Sequence, residues 1–238
     1  MNAIDKLKWG LVLVALMGMT ACASTTNEQE KEGWTEYFSL EKDELSPTGR
    51  NPYFVLEPGY YLVLEGGKEQ VTITVLDETK KVGNVETRVL EERETKDGKL
   101  VEVSRNYFAI SKRTNSVFYF GEDVDIYKDE KVVSREGAWL AEVKGARFGL
   151  MMPGLVLLKA RYYQEIAPEV AMDRAEIVSI SSNVKTPAGE FKTCLKVEET
   201  TPLEPGTKGY KYYAPGIGLV QDGSLKLVKY GKAEKPKN

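Results

Sequence analysis

The chain has 238 residues, 29% of them charged, a formal net charge of −3 and no histidine. That length suits one domain, or two at most, and a mean hydropathy of −0.37 belongs to a mostly water-facing globule. The absent imidazole excludes Ser–His–Asp and Cys–His catalysis and His-ligated zinc or iron. A mildly acidic chain with no basic stripe has no hold on a phosphate backbone, so nucleic acid is not an expected partner.

Residues 1–21 read as an export leader. Lys6 and Lys8 supply a positive start, and residues 9–19 are apolar. That run is about half the ~20 residues a membrane span needs. Met19-Thr20-Ala21-Cys22 resembles the lipobox of bacterial lipoproteins. The resemblance implies cleavage after Ala21 and acylation of Cys22, so that acyl chains tie the chain to a membrane. Each buried methylene adds ~0.8 kcal/mol, so two or three chains anchor stably where one does not. Ala23 in place of Asp implies, by the same resemblance, the outer membrane, facing the periplasm. Residues 22–33 then form a polar tether, residues 34–232 a single globular domain, and residues 233–238 a disordered tail. With Cys22 acylated, Cys194 stands alone in a strand-like run and reads as a small buried apolar residue with no disulfide.

From Tyr60 onward the pattern is strand after strand. Residues 70–76 put Val71, Ile73 and Val75 on one face; residues 84–94 alternate as Val85, Thr87, Val89 and Glu91. Asp97-Gly98 marks a tight hairpin into residues 100–110. Residues 116–120, 125–127 and 131–134 continue as short strands, followed by 161–165, 175–181, 190–199, 208–213, 218–222 and 225–230. Helical periodicity is poor, and only residues 36–43 and 167–175 could host a short helical turn. Strands joined by short turns predict a mainly β domain: an antiparallel meander forming a curved sheet or half-barrel, with little helix.

Within that pattern the candidate chemistry is sparse. Residues 148–158 (FGLMMPGLVLL) carry no charge. They read either as core or a plug at one end of the sheet, or as a ligand-facing lip or membrane-apposed loop built from Phe148, Leu150, Met151, Met152 and Leu155. Glu122, Asp123, Asp125, Asp129 and Glu130 form the densest acidic stretch. Asp123 and Asp125 are its candidate metal ligands, but an EF-hand counted from Asp123 would need Gly and Glu where Lys128 and Ser134 stand. A solvated hairpin is the plainer reading. No Gly-rich phosphate loop, G-x-S-x-G elbow or C-x-x-C occurs, so no catalytic residue and no cofactor is expected. The pairs Tyr60-Tyr61, Tyr162-Tyr163 and Tyr212-Tyr213 each offer one core ring and one outward or cavity-facing ring.

Thr186-Pro187-Ala188-Gly189 with Phe191, and the run from Tyr212-Tyr213-Ala214-Pro215-Gly216 to Ile217-Gly218-Leu219-Val220, resemble an uncharacterised family of exported bacterial β-rich proteins. That family is distantly similar to the half-barrels of periplasmic lipoprotein carriers. The resemblance implies a sheet wrapping a hydrophobic cavity and brings no catalytic residue. The sequence thus predicts a membrane-anchored lipoprotein binding an apolar ligand or lipid, with a non-enzymatic envelope module that holds another protein as the alternative.

Overall fold

The computed structural model describes residues 33–40 and 44–233. The leader, Cys22 and the tether up to residue 32 lie outside the described residues, as does the tail beyond residue 233.

Among the described residues the chain runs through eighteen strands. The first four are β1 (Leu45–Ser46), β2 (Gly49–Asn51), β3 (Phe54–Leu56) and β4 (Tyr60–Gly66). Long strands follow: β5 (Glu69–Val82), β6 (Val85–Lys96), β7 (Lys99–Ser111) and β8 (Val117–Lys128). Next come β9 (Lys131–Ser134), β10 (Trp139–Leu140), β11 (Arg147–Met152), β12 (Arg161–Tyr163) and β13 (Glu165–Ile166). The last are β14 (Arg174–Thr186), β15 (Gly189–Thr200), β16 (Gly209–Ala214), β17 (Gly218–Asp222) and β18 (Leu225–Lys232).

Two antiparallel meanders, β4 to β8 and β14 to β18, are joined where β18 pairs with β4. The free ends of this sheet are β12, paired with β14, and β13, paired with β11. Those two strands are separated by Gln164 alone, so one short segment bonds to both ends of the sheet and brings it close to a barrel. Closure removes open edges that would otherwise pair with other chains. The predicted mainly β meander is therefore present, and it curves further than a half-barrel.

Turn chemistry explains the hairpins. Asp97 and Gly98 both take the left-handed conformation, with φ of 53° and 73°, matching the twist of the flanking strands. The predicted strands at 116–120 and 125–127 are one continuous strand, β8. Gly121 within it has a φ of 153° and a backbone oxygen of Trp139 2.7 Å from where a Cβ would sit, so the missing side chain lets β10 pair there. At the two predicted helical turns there is no helix: Ala171 N–H donates to the Ala167 carbonyl at 2.9 Å in a single turn, and residues 36–40 are not helical.

Residues 33–40 strap the seam. Thr35 N–H donates to the Arg161 carbonyl at 3.1 Å and its carbonyl accepts from Tyr163 N–H at 3.0 Å. The Phe38 ring sits edge-on to Phe118 at 5.9 Å, and the Arg147 and Arg174 guanidiniums lie 4.2 and 4.5 Å over the rings of Tyr37 and Trp34. The main core gathers Leu56, Leu64, Ile177, Leu195, Val197, Val220 and Leu227, all 2% exposed or less, together with Cys194, a free and fully buried thiol.

Candidate functional site: an acidic lumen

Strand pairing decides which residues share the barrel's interior. Side chains alternate between faces, and Glu92 on β6 pairs with Ile73, one neighbour in the Val71–Ile73–Val75 face, and with Ser104 on β7. Glu94 and Glu102 pair directly, as do Asn106 and Glu122. All of these line one cavity of about 970 Å³. Apolar side chains from Leu62, Leu64, Ile73, Val75, Leu90 and Phe108 form part of its wall. The remainder is crowded with carboxyls: Glu92, Glu94, Glu102, Glu122, Glu165, Asp173, Glu199 and Asp222, with Glu69, Glu136 and Glu204 also in the lining.

Lys211 on β16 is the cation at the centre of this group. Its Nζ lies 2.9 Å from a Glu199 oxygen and 3.8 Å from an Asp222 oxygen. Burial works against the ammonium, but the Glu199 and Asp222 carboxylates outweigh it and hold the Lys211 pKa well above its ordinary value. Glu199 is 2% exposed and also accepts a hydrogen bond from Gln164 Nε2 at 3.2 Å. Its two partners are what make a buried carboxylate tolerable there.

The other carboxyls are less well matched. Burial lifts Glu122 to about 8, with Glu92, Glu165 and Glu102 adding repulsion. Burial likewise lifts Glu92 to about 7 against the pull of Lys211, and Glu94, Asp222 and Glu102 push the same way as burial. Glu165 and Asp173 are neighbours: burial raises both, Glu165 raises Asp173 further, and the bonds from Asp173 pull Glu165 back down. Glu165 also accepts from the Asp173 backbone N–H at 2.9 Å. Asp222 is raised by burial and pulled back by Lys211. A set of like charges in one enclosure stores repulsion that an added cation would relieve.

The predicted site residues do not converge. Met151 faces this lumen, 3.5 Å from Gln164 Nε2 through its sulfur. Phe148 stacks on Phe120 at 5.0 Å and stands edge-on to Phe118, and Leu150 pairs opposite Phe118. Since Gly149 pairs opposite the lumen-facing Tyr119, Phe148 and Leu150 lie on the outer face, where the strap covers Phe118. Met152 is core at 1% exposure, and Leu155 is 76% exposed on the loop that follows. Asp123 and Asp125 lie apart from the lumen carboxyls. Asp123 is held by Lys80 at 3.0 Å and by the Tyr107 hydroxyl, and Asp125 by Arg135 at 2.9 Å, each with a cation of the chain itself. Among the described residues no three metal-ligating side chains gather closely enough to hold an ion. Lumen residues were missed by sequence reasoning because a Glu at every second strand position reads first as a solvent face.

Comparison with known proteins adds little. No protein-family model matches the chain, and no curated protein matches it. A solved structure titled as a "putative lipoprotein" from Parabacteroides distasonis ATCC 8503 is similar at a TM-score of 0.40 and 14% sequence identity, over 77% of this chain and 100% of that one.

Proposed function

We propose that this chain is a lipoprotein of the bacterial envelope whose barrel is a ligand-binding vessel. The leader and the Met19-Thr20-Ala21-Cys22 run support anchoring through acyl chains on Cys22, at the outer membrane facing the periplasm. The observation that carries the binding reading is the lumen of about 970 Å³, at the upper end of the ~300–1,000 Å³ typical of small-molecule sites. Its apolar wall of Leu62, Ile73, Val75, Leu90 and Phe108 suits the aliphatic part of a ligand. The role is carriage or capture without catalysis.

Native mass spectrometry of protein extracted gently from membranes tests this directly. The expected mass starts at Cys22, carries acyl chains, and includes a bound small molecule in a fraction of the ions. A Cys22→Ala chain should partition into the aqueous phase and keep the small molecule. A native chain that begins upstream of Cys22 would refute the anchor; a chain that never retains or takes up a small molecule would refute the vessel.

A second reading, an assembly module for another envelope protein, is favoured by Leu155, Leu157 and Leu158, which are 76%, 58% and 52% exposed on one loop. Cross-linking from that loop in cells should give one stoichiometric partner if this reading holds, and only scattered products if it fails.

A further inference from the structure

The unusual property of the lumen is its balance of charge: eleven carboxyls line it against two lysines, Lys208, which pairs with Glu198, and Lys211, which pairs with Glu199. Two buried atoms have no hydrogen-bond partner, one on Asp173 in the lumen lining and one on Tyr162 in the core cluster. Asp173 Oδ1 is buried and accepts no hydrogen bond. Tyr162 is 3% exposed, and its hydroxyl has none either. The register Tyr162–Ala175–Glu199 turns this ring to the same face as Glu199, and the Glu199 carboxylate acts on the Tyr162 phenol. Buried polar atoms are nearly always paired, so Asp173 Oδ1 marks a place in the lining where a donor is wanting. Lys211 is already engaged with Glu199 and Asp222.

We propose that the lumen takes an organic polyamine, its protonated amines among Glu92, Glu122, Glu165, Asp173 and Glu199 and its methylene spacers along the apolar wall. This rests on the reading of the barrel as a ligand-binding vessel and adds the ligand's charge class. An ammonium brings three donors and no acceptor, which matches a wall of carboxylate oxygens. The Tyr119, Tyr213 and Phe108 rings that also face the lumen add faces to which a cation is attracted. A bare divalent metal fits worse, because the carboxyls are spread around the enclosure and no three of them meet at one point among the described residues. An anion or a fatty acid would place its carboxylate against like charge.

The test is calorimetric titration of the full chain at pH 8 with three probes: spermine, the neutral diol 1,12-dodecanediol, and magnesium chloride. Spermine should bind one to one, at least tenfold tighter than the diol and tenfold tighter than magnesium. The double variant Glu92→Gln/Glu122→Gln should weaken spermine tenfold or more, and Asp173→Asn should weaken it independently, in proteins whose melting remains cooperative. A diol that binds as well as spermine would overturn the amine class and leave the vessel standing. Magnesium binding as tightly as spermine would overturn it in favour of a metal. Spermine affinity unchanged in both variants would place the amine on the outer surface and overturn the proposal. No binding of any probe would overturn the proposal and the vessel together.

Discussion

Replacing Glu122 by Gln removes one titrating carboxyl from the lumen while keeping its shape, and a chain without histidine makes the consequence readable. In the fold Glu122 keeps its proton up to about pH 8, against an ordinary value of 4.5. Between those values the folded chain binds more protons than the unfolded one, so stability falls as pH rises. The contribution is fully present below pH 4.5 and is lost as pH climbs through 8. Glu92 and Glu165, each raised to about 7, act in the same direction. Carboxylates held low, such as Glu57 at about 2 through its Arg50 and Lys232 partners, lose their contribution only in acid, below the window. At 1.36 kcal/mol per pKa unit the Glu122 shift alone corresponds to about 5 kcal/mol. Lumen water and sharing of charge with Glu92 and Glu165 reduce this to about 2 kcal/mol. Urea unfolding followed by tryptophan fluorescence between pH 5.5 and 8.5 is the assay. The native chain should lose stability across that range, and Glu122→Gln should lose about 2 kcal/mol less, overtaking the native chain at the alkaline end. A native chain whose stability is flat or rising over the range, or a variant with an unchanged slope, would refute the burial of these groups.

Two further perturbations probe how the barrel is held. Asn51 is 2% exposed; its Nδ2 donates to the Asn115 and Pro153 carbonyls at 2.9 Å each, and its Oδ1 accepts from Tyr53 N–H at 2.7 Å. Asn51→Ala strands three backbone groups at ~1–3 kcal/mol apiece, so a loss of about 3–5 kcal/mol in urea unfolding is expected, and a loss under 1 kcal/mol would show that these contacts are replaceable. Lys211→Met removes the cation beside Glu199 and Asp222; breaking a buried pair costs ~3–5 kcal/mol. A loss of that size in urea unfolding is expected, and a loss under about 1 kcal/mol would argue against the pairing.

The fold was legible and the lumen was not, for one physical reason. Period-two alternation tells which side chains share a face, and it located most of the long strands: residues 70–76 and 100–110 fall within β5 and β7, and residues 84–94 match β6 from its first residue, Val85. It does not say which face is enclosed. In β6 the apolar-looking set Val85, Thr87 and Val89 is buried, yet it is Leu90, Glu92 and Glu94 that line the cavity. A charged side chain is nearly always outside unless paired, so Glu92, Glu94 and Glu102 pass in sequence for solvent positions. Only the pairing of β15, β16 and β17, which sets Lys211 beside Glu199 and Asp222, reveals them as an interior. The same blindness misdirected attention to residues 148–158, of which only 148–152 belong to β11, with Phe148 against Phe120, while Leu155, Leu157 and Leu158 are exposed on the loop that follows. A strand covered on both faces reads as a continuous apolar run, whereas a polar cavity inside a barrel mimics a surface. Glu92 and Glu94 on β6 facing Ser104 and Glu102 on β7 therefore form an acidic alternation that, read from one strand alone, is indistinguishable from a solvent face.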